Sequence, residues 1–223
     1  MQAYNKSELE NYFLAEEAKK LYQKKFLSKE QLQMIIAQLV QLKSNPNIFF
    51  RIGFFLLGSF LISTIISAFG LILFPLLSED FEFIFFFYTI VAYIGLEVLV
   101  RMKFFRHGLD DAFVLTSQIS FSIGVGILTE AILPVLITMS VLGVFFAIRF
   151  INTISALLAF IGLVGIFFNL IVEHDVMPKF YLSFVGLILA ILVYFLVVHL
   201  SKNKNFYPYF KTLDTVRIAS LLL

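Results

Sequence analysis

No cysteine occurs anywhere in the sequence. That absence excludes disulfide frameworks, thiolate metal sites and cysteine nucleophiles together, and it removes any trace of a redox compartment. Charge is scarce as well: Asp, Glu, Lys and Arg make up 14% of 223 residues, against 60% hydrophobic residues and a mean hydropathy of +0.94. A water-soluble domain carries about 45 to 50% apolar residues, so the surplus has to face lipid. The formal charge of +2 is too small for a nucleic-acid surface, and no nucleic-acid partner is expected. Tryptophan is missing, whereas phenylalanine occurs 29 times. Lipid-facing helix positions accept Phe as readily as Leu, so we read this richness as compositional bias rather than as a pathway for a greasy ligand.

Motifs for catalysis are missing too. The sequence contains no G-x-S-x-G, H-E-x-x-H or phosphate-binding glycine loop, and His107 and His199 have no triad partner by spacing. Glu173-His174-Asp175 holds three residue types that ligate metals, with Glu79, Asp80, Glu82 and Glu130 expected on the same side. Adjacent side chains point apart and no second histidine lies at i+4, so this is read as a solvated loop. We expect no enzyme, no cofactor and no metal.

What is present begins with a polar segment, residues 1–47, holding 12 charges and no apolar core of a signal peptide. Ser7-Glu8-Leu9-Glu10 and Ser28-Lys29-Glu30-Gln31 each show the S-x-x-E/Q pattern that satisfies free amides at a helix start. Leu9, Tyr12, Phe13 and Leu21 then form an apolar stripe on a first helix, and Leu32, Ile35, Ile36, Leu39 and Leu42 form one on a second. The expectation is an amphipathic helical hairpin, ended by Ser44-Asn45-Pro46-Asn47 because proline disfavours a helical residue before it. Left wet, its apolar stripes would cost about 25 cal/mol per Å², so the hairpin should dock on the inner loops or on a partner. Lys19, Lys20, Lys24 and Lys25 would then turn towards anionic headgroups.

Residues 48–200 read as six apolar runs of spanning length, at about 50–74, 83–100, 112–128, 131–149, 153–172 and 180–199. Each has to be a helix, because unpaired backbone groups in hydrocarbon cost several kcal/mol apiece. Thr129-Glu130 with Pro134 is the weakest separator, which leaves two spans or one bent segment over 112–149. Proline in a first helical turn is tolerated, favouring a new helix near Ala131. Residues 201–223 read as a tail or as the start of a seventh span.

Threading follows from the basic residues. With a cytoplasmic N-terminus, 16 of the 17 Lys and Arg lie inside and Lys179 alone outside, while Glu79, Asp80, Glu82, Glu130, Glu173 and Asp175 face out. The positive-inside rule therefore places both termini in the cytoplasm. Arg101, Lys103 and Arg106 are the topology determinants of the loop after the second span; Gly108 would end that span, and Asp110 or Asp111 would cap the third.

Three residues are candidates for a polar cavity: Gln118, Ser122 and Glu97. The third span is the most polar, with Thr116, Ser117, Gln118, Ser120 and Ser122, and it should face protein. Ser120 to Gly124, Ser122 to Gly126, and Ser59, Ser63 and Ser67 have the spacing that lets helices approach closely. Glu97 lies four residues before Arg101, the favourable order for an intrahelical ion pair. No ionisable residue falls near the middle of a span, which argues against a proton relay or an ion-coupled pump.

Phe26-Leu27-Ser28-Lys29-Glu30-Gln31 in the hairpin, Phe50-Arg51-Ile52-Gly53 opening the first span, and His107-Gly108-Leu109-Asp110-Asp111-Ala112 after the basic loop resemble a group of bacterial multispanning inner-membrane proteins of unknown function. The likeness covers about the first 130 residues. This chain has Phe26 where that group often has glycine, and members tend to have more spans. The resemblance implies a bacterial inner membrane and no particular activity. We therefore expect an all-α polytopic membrane protein. Its partners would be the lipid bilayer and either another protein or further copies of itself, engaged through the hairpin. The alternative is a carrier of an uncharged or lipidic substrate with its cavity beside the third span.

Overall fold

A computed structural model describes residues 2–39, 42–44, 47–73, 82–173 and 181–222. The protein is all-α: a hairpin of α1 (Lys6–Gln23) and α2 (Lys29–Gln38), then α3 (Ile48–Leu73), α4 (Glu82–Arg101), α5 (Leu109–Thr129), α6 (Ile132–Phe150), α7 (Thr153–Glu173) and α8 (Leu182–Ser201). A 3-10 helix, Lys204–Tyr209, leads into α9 (Phe210–Leu221). Among the described residues, six helices, α3 to α8, are long and apolar enough to cross a bilayer.

Tight joints set the order of packing. Glu130 at φ 50° and Ile151 at φ 54° are left-handed residues that end α5 and α6, so each helix folds straight back on the next. Residues 112–149 therefore form two spans, with Pro134 in the first turn of α6, where its missing amide is not needed. The pairs α4–α5 and α6–α7 pack most extensively, α5 also holds α6 and α3, and α9 sits against both α7 and α8. Helix α5 is the most enclosed of these spans: Ser117, Gln118 and Ser122 are buried in protein, away from hydrocarbon.

Two hairpin expectations are corrected. The first helix is capped by Asn5, whose side chain accepts from the Ser7 amide at 3.1 Å, so Ser7 already lies inside α1. The second helix stops at Gln38 with Leu39 extended; Leu42 lies beyond it, buried in the body. Ser28 and Gln31 do form the reciprocal capping box, with bonds of 2.8 and 3.2 Å.

Helix α1 docks on the body. Leu9 and Tyr12 join Phe105, Leu96, Val100, Val114, Phe146 and Phe150 in one buried cluster. Tyr12 and Tyr4 each meet the Phe105 ring edge-on at 5.0 Å, and the Tyr4 hydroxyl donates to the Phe104 carbonyl at 3.0 Å. A parallel bridge between Lys43 and Phe104 fixes the far side of the hairpin to the same loop. Leu21, placed on the docked stripe by sequence, is 45% exposed; Ala15 and Ala18 are buried instead.

Candidate functional site

Polar side chains concentrate at one end of the bundle, where the ends of α3 to α8 meet the hairpin and α9. Asp111 is the centre of this network. Its Oδ2 accepts from Arg51 Nε at 2.8 Å and Nη2 at 2.6 Å, and its Oδ1 accepts from Asn152 Nδ2 at 2.8 Å. The Asn152 Oδ1 in turn accepts from the Ser155 amide at 2.9 Å, satisfying a free donor at the start of α7. One carboxylate thus ties α3, α5 and α7 together at a buried point.

The neighbouring Asp110 accepts from three backbone amides, those of Arg106 at 2.6 Å and of His107 and Gly108 at 2.9 Å. It holds the loop before α5 rather than capping the helix. Gly108 precedes α5 at φ 106°, and a Cβ there would lie 2.2 Å from the Arg51 carbonyl oxygen, so only glycine fits. It does not end α4, which stops at Arg101.

The topology determinants have three different fates. Arg101 is exposed. Lys103 pairs with Glu8 at 2.7 Å, binding α1 to the loop. Arg106 is buried, with its guanidinium 5.1 Å from the Phe105 centroid and 5.8 Å from that of Phe13. Lys211, at the start of α9, has its pKa lowered by burial and then by the charges of Arg106 and Arg51. His107 lies 4.2 Å from the Phe54 ring and 4.8 Å from the Phe104 ring, and burial pushes its pKa down.

Glu97 requires a correction. It does not pair with Arg101; its Oε1 accepts from Arg149 Nη2 at 2.6 Å and Nε at 3.0 Å, joining α4 to α6. Nor does it share a cavity with the other two candidates. Gln118 and Ser122 line a cavity of about 180 Å³ with Ile119, Ile123, Val135 and Met139. Gln118 donates Nε2 to the Met139 carbonyl at 3.0 Å, and its Oε1 has no partner among the described residues. Ser122 bonds back to the Gln118 carbonyl at 3.0 Å. A wider cleft of about 740 Å³ opens between α3, α4 and α5, bordered by Ser63, Ser67, Tyr88, Thr116 and Ser120.

Asn152 was not visible as a functional position in the sequence; the only signal was a polar Asn-Thr pair between two apolar runs. Glu79, Asp80, His174 and Asp175 lie outside the described residues. No protein family, no curated protein and no solved structure matches the chain.

Proposed function

We propose that the protein is a non-catalytic multi-pass component of a bacterial inner membrane, with both termini cytoplasmic, that engages a protein partner through its N-terminal hairpin. One observation carries this reading: α1 is clamped to the body, while α2 packs on it with Leu32, Ile35 and Ile36 only half-buried. Glu8 on Lys103, Tyr4 on Phe104 and the Leu9–Tyr12 face on Phe105 fix the hairpin in place. Helix α2 has no buried residue, and Met34 is 60% exposed on it. The chain thus presents a helix at a fixed position with its apolar stripe only partly covered, which is what a docking element requires. The cytoplasmic assignment is supported by the basic residues gathered at this end. Partner engagement is tested with a photoreactive side chain at Met34 of the full chain in native membranes. A crosslinked protein of discrete size is expected; crosslinks to lipid alone, or none, would overturn the reading.

A second reading, a carrier of an uncharged or lipidic substrate, is favoured by the 740 Å³ cleft with its border of hydroxyls. Its test is Ser120→Leu. Loss of co-purified lipid with unchanged thermal stability would select the carrier.

A further inference from the structure

We propose that the turn of the hairpin is a membrane-surface anchor: Leu21, Tyr22 and Phe26 enter the interfacial layer, and Lys19, Lys20, Lys24, Lys25 and Lys29 engage the phosphates of anionic lipid.

The course of α1 supplies the geometry. Glu8, near its start, pairs with Lys103 of the α4–α5 loop, while Phe13 meets the Tyr207 ring at 5.6 Å and Glu17 bonds the Tyr207 hydroxyl. One helix therefore touches both the α4–α5 loop and the segment that follows α8 along its length, so it lies across the end of the bundle rather than projecting away from it. Beyond Glu17 it has passed the 3-10 helix that follows α8. Each further turn carries it about 5.4 Å onward.

Its body-facing side continues past that contact. Leu9, Tyr12, Ala15 and Ala18 rest on the body, and helical spacing from Tyr12 brings Glu16 and Lys19 beside that face. Lys211 feels the charges of both Glu16 and Lys20, in keeping with that direction. The lysines that follow the docked face therefore lie near the level at which the spans end.

Composition supplies the chemistry. Every residue from Lys19 to Phe26 is exposed, with Leu21 at 45%, Tyr22 at 39% and Phe26 at 75%. On the spans, exposed apolar side chains face lipid; here they lie outside the spans, and water would surround them. Five lysines flank them, and no acid lies between Glu17 and Glu30. None of the five pairs with a carboxylate among the described residues. Apolar side chains among unpaired lysines at the level of the headgroups are what an anionic bilayer surface binds. A protein partner would have to neutralise all five charges, whereas the headgroup layer does so without specific contacts. The proposal does not depend on what α2 binds.

The absence of cysteine makes the test direct. Phe26→Cys, labelled with an environment-sensitive fluorophore, is placed in the full chain in nanodiscs of neutral phosphatidylcholine or of the same lipid with a third phosphatidylglycerol. Expected in the anionic discs are blue-shifted emission and quenching by doxyl-labelled lipid. Lys24→Glu with Lys25→Glu should cut the docked population about tenfold, and 0.5 M salt should act in the same direction. Hydrogen exchange on the unlabelled wild type provides the second readout: amides 19–27 should slow in anionic discs relative to neutral ones. Water-like emission and unchanged exchange in both lipids would overturn the proposal, as would protection that rises with protein concentration, which would assign the turn to a second copy.

Discussion

Glu97 is bonded across to Arg149 rather than along its own helix to Arg101. An exposed i,i+4 pair contributes a few tenths of a kcal/mol, whereas a forked contact between two packed helices, with both side chains less than a third exposed, also fixes their register. Glu97→Gln should therefore cost about 1 kcal/mol in detergent, and Arg101→Gln should be neutral. Equal losses in thermal denaturation would restore the intrahelical pair. His107 gives a pH dependence. Burial between two phenylalanine rings lowers its folded pKa below the ordinary 6.5, so the unfolded chain binds more protons in between. This contribution is absent above about pH 6.5 and becomes destabilising as pH falls through and below that value. The melting temperature should drop on acidification. His107→Phe, which keeps an aromatic ring in place, should flatten that dependence; an unchanged slope would assign it to other groups.

At the scale of elements, the closest approach of a helical glycine to a neighbouring backbone, among the described residues, is not at the Ser-x-x-x-Gly pairs of α5. Ser122 bonds to its own helix, and Ser59 and Ser63 do the same on α3. The tight approach is α6 on α7, where a Cβ added to Gly143 would lie 2.6 Å from the Ser155 carbonyl and 2.8 Å from the Ala159 Cβ. Gly143→Ala should thus force the two helices apart at a cost of about 1 to 3 kcal/mol. Gly53→Ala, with nothing within 4 Å, should be neutral or slightly stabilising. Equal effects of the two substitutions on detergent melting would show that backbone propensity, not packing, governs both. The hairpin follows the same logic. Leu9 and Tyr12 were readable as an apolar face, but small Ala15 and Ala18 carry too little hydropathy to mark where that face continues.

At the scale of the whole molecule, one end gathers Arg51, Arg101, Lys103, Arg106, Arg149 and the hairpin lysines, and the far end carries Glu82, Glu130 and Glu173. Reporter fusions after Lys103 and Lys204 should report the cytoplasm, and fusions after Asp80 and Asp175 the outside. Matching sidedness at 80 and 103 would remove α4 as a span. The buried bonds of Asp111 bring three helices together at the basic end. The 740 Å³ cleft shows looser packing between α3, α4 and α5 towards the other.

The helical, membrane-spanning character of this protein was legible from sequence because it depends on properties summed over whole segments: length, apolarity and the placement of lysine and arginine. The capping box at Ser28 was legible too, since its partner lies three residues away. Pairings such as Glu97 with Arg149, or Arg51 with Asp111 and Asn152, were not. Each joins residues 41 to 60 positions apart, and the sequence offers several partners of the same charge for each. Which one is met depends on how α4, α5, α6 and α7 rotate against one another, and side-chain volume along every helix sets that rotation at once. Only the packed bundle decides it.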